Sequence, residues 1–292
     1  MTESLITTRG LGKTIGSKTI LRDVSVAVSP GTVVGIIGKN GAGKTTLLEI
    51  LLGFSPASSG TAQLFGHDSF TLPAAIRGRI GFVPQQDELV NPITGRQQLA
   101  LIAALQARWN HELIDRLQSA WEVPLDQTIQ ELSGGERQKL SILLALGHEP
   151  DVLLLDEPMA SLDPVSRRQF LQEIIEIASA QSRTVLFSTH IISDLERIAD
   201  QIWIVRRGTV AWAGPLDDLK ESVVRLTITS RAALPATLPV TAALSQQVAG
   251  QRANAVVMHW SDAEHARLRQ ELDADIEVEP LSLEDIFVEF HK

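Results

Sequence analysis

The chain of 292 residues contains no cysteine. That excludes disulfides, thiolate metal sites and a thiol nucleophile, and it suits a reducing cytosol. No run of about 18 apolar residues occurs, so no segment is expected to span a membrane. The longest candidate, 140–155, is interrupted by His148, Glu149, Pro150 and Asp151. The segment from Met1 to Gly10 lacks the apolar stretch of a signal peptide. Positive charge is also in deficit, with a formal net charge of -9. A protein that tracks a phosphate backbone carries a basic surface, so no nucleic-acid partner is expected. What is present is 44 % hydrophobic and 21 % charged residues, enough for a large core and a small second domain.

Periodicity sets the organisation. Val24, Val26 and Val28 alternate with small or polar residues as a half-buried strand does. Pro30-Gly31 marks a turn, 32–37 is a short apolar run that reads as a buried strand, and 47–52 reads as the start of a helix. A loop is expected over 55–60 and a short strand over 62–65. From 87 to about 147 the pattern is mostly helical, broken at Pro92 and Pro124. Strands are expected at 151–155 and 184–188, with an amphipathic helix at 169–178 between them. A hairpin is expected around Arg207-Gly208. Apolar strands alternating with helices give an α/β fold with a mainly parallel sheet covered on both faces. Composition shifts near 215–222. Beyond it come a strand at 223–229, an aperiodic stretch at 232–249, a strand-like 255–260, a helix at 262–272, and a last helix opened by Ser282-Leu283-Glu284-Asp285. The expected division is 1–221 and a small α+β appendage, 222–292. No internal repeat is visible.

Two motifs carry chemistry. Gly38-Lys39-Asn40-Gly41-Ala42-Gly43-Lys44-Thr45 fits the phosphate-loop pattern, and it lies between an expected strand and an expected helix. Its glycines let backbone N–H groups turn toward phosphate oxygens, and the helix adds its positive dipole end. Lys44 neutralises phosphate and the Thr45 hydroxyl is offered to Mg²⁺. The second motif is the apolar strand Val152–Leu155 ending in Asp156 and Glu157. An aspartate there holds Mg²⁺ through water, and a glutamate one residue on, pointing to the other side of the strand, polarises the attacking water.

A third motif, Leu132-Ser133-Gly134-Gly135-Glu136-Arg137-Gln138, precedes a helix expected at 139–146. With the two above in this order, the chain closely resembles the ATP-binding cassette (ABC) ATPases over about residues 5–220. The resemblance implies a P-loop NTPase core with an N-terminal antiparallel β subdomain and a helical signature subdomain at about 87–147, with 222–292 as an accessory domain. It implies ATP and Mg²⁺ as cofactors. Gly38, Asn40, Gly41, Ala42, Gly43, Lys44, Thr45 and Thr46 would cradle the nucleotide, and Thr45, Gln85 and Asp156 the metal. Lys44, Gln85, Glu157 and His190 would be catalytic, His190 contacting the γ-phosphate. Gln86, beside Gln85, is the alternative for that position.

Ser133, Gly134 and Gly135 place N–H groups at a helix N-terminus, a second anion site. The resemblance assigns it to the ATP of a partner copy, with Asp163 of Ser161-Leu162-Asp163 crossing between subunits. Two chains then form an ATP-dependent C₂ homodimer. Many family members stack adenine on an aromatic ring where this chain has Ile15, and it has no tyrosine at all. A missing base–aromatic stack is worth roughly 1–3 kcal/mol, so weaker nucleotide binding is expected.

The region 87–121 would grip an integral membrane transporter subunit. Trp109 and Trp121 are candidates for that grip or for packing inside the helical subdomain. Residues 144–150, 159–164 and 283–287 look like those of bacterial exporter-type subunits, which act from the cytoplasm on the inner face of the cell membrane. The alternatives are a cassette ATPase outside transport, linked to ribosomes or DNA, and a regulator acting through 222–292.

Overall fold

The computed structural model describes residues 4–181 and 183–292, so the first three residues of the N-terminal segment read above lie outside it. The chain forms two compact units that divide between Val210 and Ala211.

The first unit opens with β1 (Ile6–Ile15) and β2 (Lys18–Val28), an antiparallel hairpin turning at Gly16, whose φ of +60° suits a two-residue turn. β3 (Val33–Ile37), buried at every residue, runs through the phosphate loop into α1 (Lys44–Leu51). β4 (Ser59–Leu64) and the short β5 (His67–Asp68) return to the first sheet, whose order is β2-β1-β4-β5. After a 3₁₀ turn and α2 (Ala74–Arg77), β6 (Ile80–Val83) enters the second sheet.

The helical stretch then comprises α3 (Gly95–Leu105), α4 (His111–Ala120) and α5 (Gly134–Leu146), begun by the side-chain caps Thr94, Asn110 and Ser133. β7 (Val152–Asp156), α6 (Pro164–Gln181), β8 (Thr184–Thr189), α7 (Ile192–Leu195) and β9 (Gln201–Arg206) follow. β10 (Thr209–Pro215) follows a turn in which Arg207 and Gly208 both have positive φ.

The second sheet has the order β10-β9-β3-β8-β7-β6. Its β9-β3, β3-β8, β8-β7 and β7-β6 pairs are parallel. β3, β7 and β8 are buried on both faces, which is why they read as continuous apolar runs. The register matters for chemistry. Ile37 lies beside Thr189, Ser188 beside Asp156, and Leu155 beside Val83. The segments that follow these strands, 38–43, 190–191, 157 and 84–86, therefore leave the sheet at one edge, where ligands of open parallel sheets bind.

The structure adds to the sequence reading at three places. β1 was not expected, because Thr7, Thr8, Arg9, Gly10 and Gly12 mask the alternation and register shifts interrupt its pairing. The expected loop at 55–60 shortens, since β4 starts at Ser59. Trp121 is buried and Trp109 packs over Gly147, where an added Cβ would meet the indole at 2.4 Å. Both tryptophans thus pack within the helical subdomain.

The second unit contains α8 (Leu216–Ser222), β11 (Val224–Ser230), β12 (Ala243–Ala249), β13 (Arg252–Val257), α9 (Asp262–Leu272), β14 (Ala274–Pro280) and α10 (Leu283–Phe290). Its sheet is antiparallel with order β12-β13-β11-β14. Val224, Leu226, Ile228, Ala253, Ala255 and Leu268 form its core. The contact division lies earlier than the expected 221/222, and the Trp260 N–H donates to the Ser222 carbonyl at 3.2 Å. β12 lies inside the stretch that showed no period. The sequence pattern does not mark β14, because Asp275, Glu277 and Glu279 give an edge strand the look of a solvated loop.

Candidate active site

The loop 38–43 can be built only with glycine at particular places. An added Cβ at Gly38 would lie 2.5 Å from the Val205 carbonyl oxygen. Gly43 has φ +110°, and a Cβ there would lie 2.7 Å from Leu21 Cδ2. The β9–β10 turn braces the loop, since the Gly208 N–H donates to the Ala42 carbonyl at 3.1 Å. α1 begins at Gly43 with no side-chain cap. Its first N–H groups are therefore left for an outside acceptor, and the dipole favours an anion there. Lys44 is buried, and its Nζ donates to the Gly38 carbonyl at 2.8 Å.

At the end of β7, Asp156 is buried and accepts a hydrogen bond from the Ser188 hydroxyl. The next residue does not continue the strand. Glu157 has φ +50°, and its N–H donates to the Ser188 carbonyl at 3.0 Å and to Ser188 Oγ at 3.1 Å. Instead of pointing to the other side of the strand, as the sequence suggested, the Glu157 side chain turns into the same cleft as Asp156. Its Oε1 is 3.6 Å from Lys44 Nζ. Its Oε2 is 2.7 Å from His190 Nδ1 and accepts the His190 N–H at 3.1 Å. Lys44, Glu157 and His190 thus form one connected row.

A cleft of 430 Å³ is lined by Asn40, Gly41, Ala42, Gly43, Lys44, Thr45, Thr46, Gln85, Asp156 and Glu157, joined by Lys18 and Ile20 of β2. Gln85 lines it and Gln86 does not. Lys18 and Ile20 were not foreseen, because nothing in an antiparallel strand marks it as neighbour to the phosphate loop. Ile15, 58 % exposed at the end of β1, is not among the lining residues.

The Ser133 turn lies elsewhere. Ser133 caps α5 in a reciprocal box: its N–H and hydroxyl both reach Glu136 Oε2 at 2.7 Å. The Ser133 hydroxyl holds the Glu136 carboxyl below its ordinary value. Gly135 packs against the 161–163 loop, where a Cβ would stand 3.1 Å from the Ser161 carbonyl oxygen. Asp163 caps α6, accepting the Val165 and Ser166 N–H groups at 2.9 and 3.1 Å. The Ser166 hydroxyl, first, and these amides lower its pKa to about 2. Neither the Ser133 turn nor Asp163 lines the cleft that holds Lys44.

One link joins the segment after Gln85 to α5. Arg137 grips both Asp87 oxygens, at 2.9 and 2.5 Å, and also Asn91 Oδ1 at 2.9 Å and the Ile129 carbonyl at 3.1 Å. The Arg137 guanidinium holds the Asp87 carboxyl below its ordinary value, against an opposing push from burial.

The chain is similar to known proteins. The family model for ABC transporter matches residues 21–160. The chain is 31 % identical over 301 residues to the Nod factor export ATP-binding protein I of Paraburkholderia xenovorans (strain LB400), spanning 99 % of this chain and 97 % of that protein. It is 34 % identical over 225 residues to the daunorubicin resistance ATP-binding protein DrrA3 of Streptomyces coeruleorubidus, spanning 75 % and 71 %. A dimeric structure of a bacterial ABC transporter cassette superposes with a TM-score of 0.66 at 25 % identity, covering 72 % of this chain and 98 % of that one. A strand-to-helix phosphate loop facing a buried carboxylate pair, together with full-length similarity to such proteins, places the chain in the ABC transporter family, as an ATP-binding subunit that hydrolyses ATP.

Proposed function

We propose that the chain pairs with a second copy around two ATP molecules and so powers export through a separate membrane-embedded subunit. The observation that carries this reading is the Glu157 carboxylate, held between Lys44 and His190 at the mouth of the phosphate loop. The uncapped start of α1 receives the phosphates, and Lys44 leaves Glu157 to neutralise them. Glu157, freed on that side and still held by His190, orients the attacking water, and His190 meets the γ-phosphate.

Mg²⁺ fits the donor set. Thr45, Gln85 and Asp156 offer only oxygen ligands and line one cleft. Among the described residues no group of three or more His, Cys, Asp or Glu side chains could hold a metal alone, whereas Mg²⁺ at phosphoryl-transfer sites is bound by one or two carboxylates together with substrate phosphates. When bound, Mg²⁺ neutralises charge on the transferred phosphoryl group.

The separate location of Ser133, Gly134 and Gly135 supports a shared nucleotide, because a second anion-favouring turn has no use for the chain's own ATP. Swinging a dimer from about 1 % to 99 % closed needs roughly 5.5 kcal/mol of differential binding. A few charge-assisted bonds of about 1.5–3 kcal/mol each supply it. ABC ATP-binding subunits work with membrane subunits and dimerise, and no described helix is long and apolar enough to cross a membrane. Relatives named for export and resistance support the direction of transport, and with it a place on the cytoplasmic face of the cell membrane. Residues 222–292 act as an accessory domain.

The test is Glu157→Gln with ATP and Mg²⁺. A dimer should accumulate in light scattering while phosphate release falls by about a hundredfold or more, the scale of losing a positioned catalytic base. Rapid hydrolysis by this variant, or a strictly monomeric ATP-loaded form, would remove Glu157 and the shared nucleotide from the account. Stimulation of the wild-type ATPase by a co-purified membrane protein tests the transport part separately.

A further inference from the structure

Three arginines converge on a second concavity that no part of the nucleotide chemistry uses. Arg167 and Arg168 near the start of α6 and Arg197 just after α7 line a cleft of 270 Å³, with Ser193 and Asp194 among its other walls. Elsewhere in this unit Arg79, Arg96, Arg116 and Arg137 each hold a carboxylate. Among the described residues no ion pair or side-chain hydrogen bond engages Arg167, Arg168 or Arg197. Arg167 Nε is moreover shielded from solvent with no acceptor in reach. A shielded donor without a partner is costly in a folded protein and points to an acceptor that arrives from outside.

The charge balance agrees. Three guanidinium groups face one lining carboxylate, Asp194, in a chain whose formal net charge is -9. The nearby Asp163 carboxylate is already committed to the amides and hydroxyl at the start of α6. The positive dipole end of α6, an 18-residue helix, lies on the same side as Arg167 and Arg168. The planar fork of arginine matches the oxygen geometry of phosphate, and several forks around one small space select a compact anion of more than one charge. The volume is below the ~300–1,000 Å³ of pockets for drug-sized ligands.

We propose that this cleft is a binding site for a small, multiply charged phosphoryl anion, of the class of inorganic phosphate, pyrophosphate or a phosphomonoester, distinct from the nucleotide cleft. It joins the start of α6, just after Asp163, to the segment after His190. An anion held there ties together the two stretches that flank those residues, so its occupancy should also change the ATPase rate.

The probe is inorganic pyrophosphate, titrated calorimetrically into the full-length chain saturated with ADP in Mg²⁺-free, low-salt buffer, so that the phosphate loop is filled. One pyrophosphate should bind per chain with a dissociation constant of about 1 mM or tighter, the scale of two to three charge-assisted contacts. Arg168→Gln and Arg197→Gln should each weaken it by about tenfold or more, with thermal unfolding unchanged. Lys44→Ala should retain it. No binding once ADP is present, binding lost with Lys44→Ala alone, or arginine variants within twofold of wild type would each overturn the proposal. A second arm separates a soluble anion from a lipid headgroup. Co-sedimentation with phosphatidylglycerol vesicles should be the same for wild type and Arg197→Gln. If the arginines mattered only for vesicles and not for pyrophosphate, the assignment to a soluble anion would fail.

Discussion

Replacing Arg137 by methionine removes the one guanidinium that ties the segment after Gln85 to α5. It deletes four polar contacts, two of them to Asp87, and leaves that carboxylate without its partner. The magnitude follows from burial. Both side chains are 21 % exposed, so the pair is neither a surface ion pair worth about 0–1 kcal/mol nor a fully buried one whose rupture costs about 3–5 kcal/mol. Discounting for residual solvent gives about 2–3 kcal/mol of lost stability. Urea unfolding followed by tryptophan fluorescence should show it, and a cycle with Asp87→Asn should return a coupling of at least about 1 kcal/mol. Because Arg137 lowers the folded-state pKa of Asp87 from 3.8, the pair stabilises above that ordinary value and loses its effect as pH falls through the lower folded one. Acid destabilisation below about pH 4 should therefore be shallower in Arg137→Met than in wild type. A coupling under about 0.5 kcal/mol, with parallel acid profiles, would refute the reasoning.

Other perturbations probe the cleft. Lys44→Ala should weaken ATP binding and abolish hydrolysis, read by equilibrium dialysis and phosphate release; normal kinetics would break the phosphate-cradle assignment. Gly43→Ala meets Leu21 Cδ2 at 2.7 Å and the Ile20 carbonyl at 3.2 Å, with φ +110°. It should cost about 1–3 kcal/mol in thermal unfolding and impair nucleotide binding, and native behaviour would show that the loop relaxes freely. Ile15→Tyr, at an exposed position, should leave stability within about 0.5 kcal/mol. It should tighten ATP binding by about 1–3 kcal/mol if this site faces adenine, and equal affinities would show that it does not.

Much of the core was readable because burial on both faces removes ambiguity. β3, β7 and β8 carry apolar runs, and each ends beside a residue to which the proposed function gives a role: Gly38, Glu157 and His190. The helical start at Ser282 was readable from its cap, whereas α5 begins at Gly134 under the Ser133 cap, inside the motif and ahead of the expected start at 139. What was hidden depends on contacts between distant segments. β1 has no clean alternation because its register slips past bulges, and β14 is an edge strand whose solvent side is acidic. Lys18 and Ile20 reach the cleft through a hairpin that packs beside the loop. Only the three-dimensional register reveals that neighbourhood. The aromatic-to-aliphatic change at Ile15 was visible, whereas its position outside the cleft was not.

Glu157 shows why a motif read as a string underdetermines its chemistry. On an extended strand, Asp156 and Glu157 would face opposite sides, and one of them would leave the cleft. The chain instead places Glu157 in the left-handed region, which costs a residue with a side chain about 1–2 kcal/mol. Two hydrogen bonds from its N–H to Ser188 offset that strain. The same serine donates its hydroxyl to Asp156, so one side chain fixes both carboxylates. The strained turn lets the two acids serve one cleft from different sides, Asp156 beside Ser188 and Glu157 between Lys44 and His190. Persistent strain at a reacting group, held by its surroundings, is what pre-organisation for catalysis requires. On the proposed function, a phosphate that draws Lys44 away from Glu157 would also free the carboxylate, so binding and activation would share one displacement.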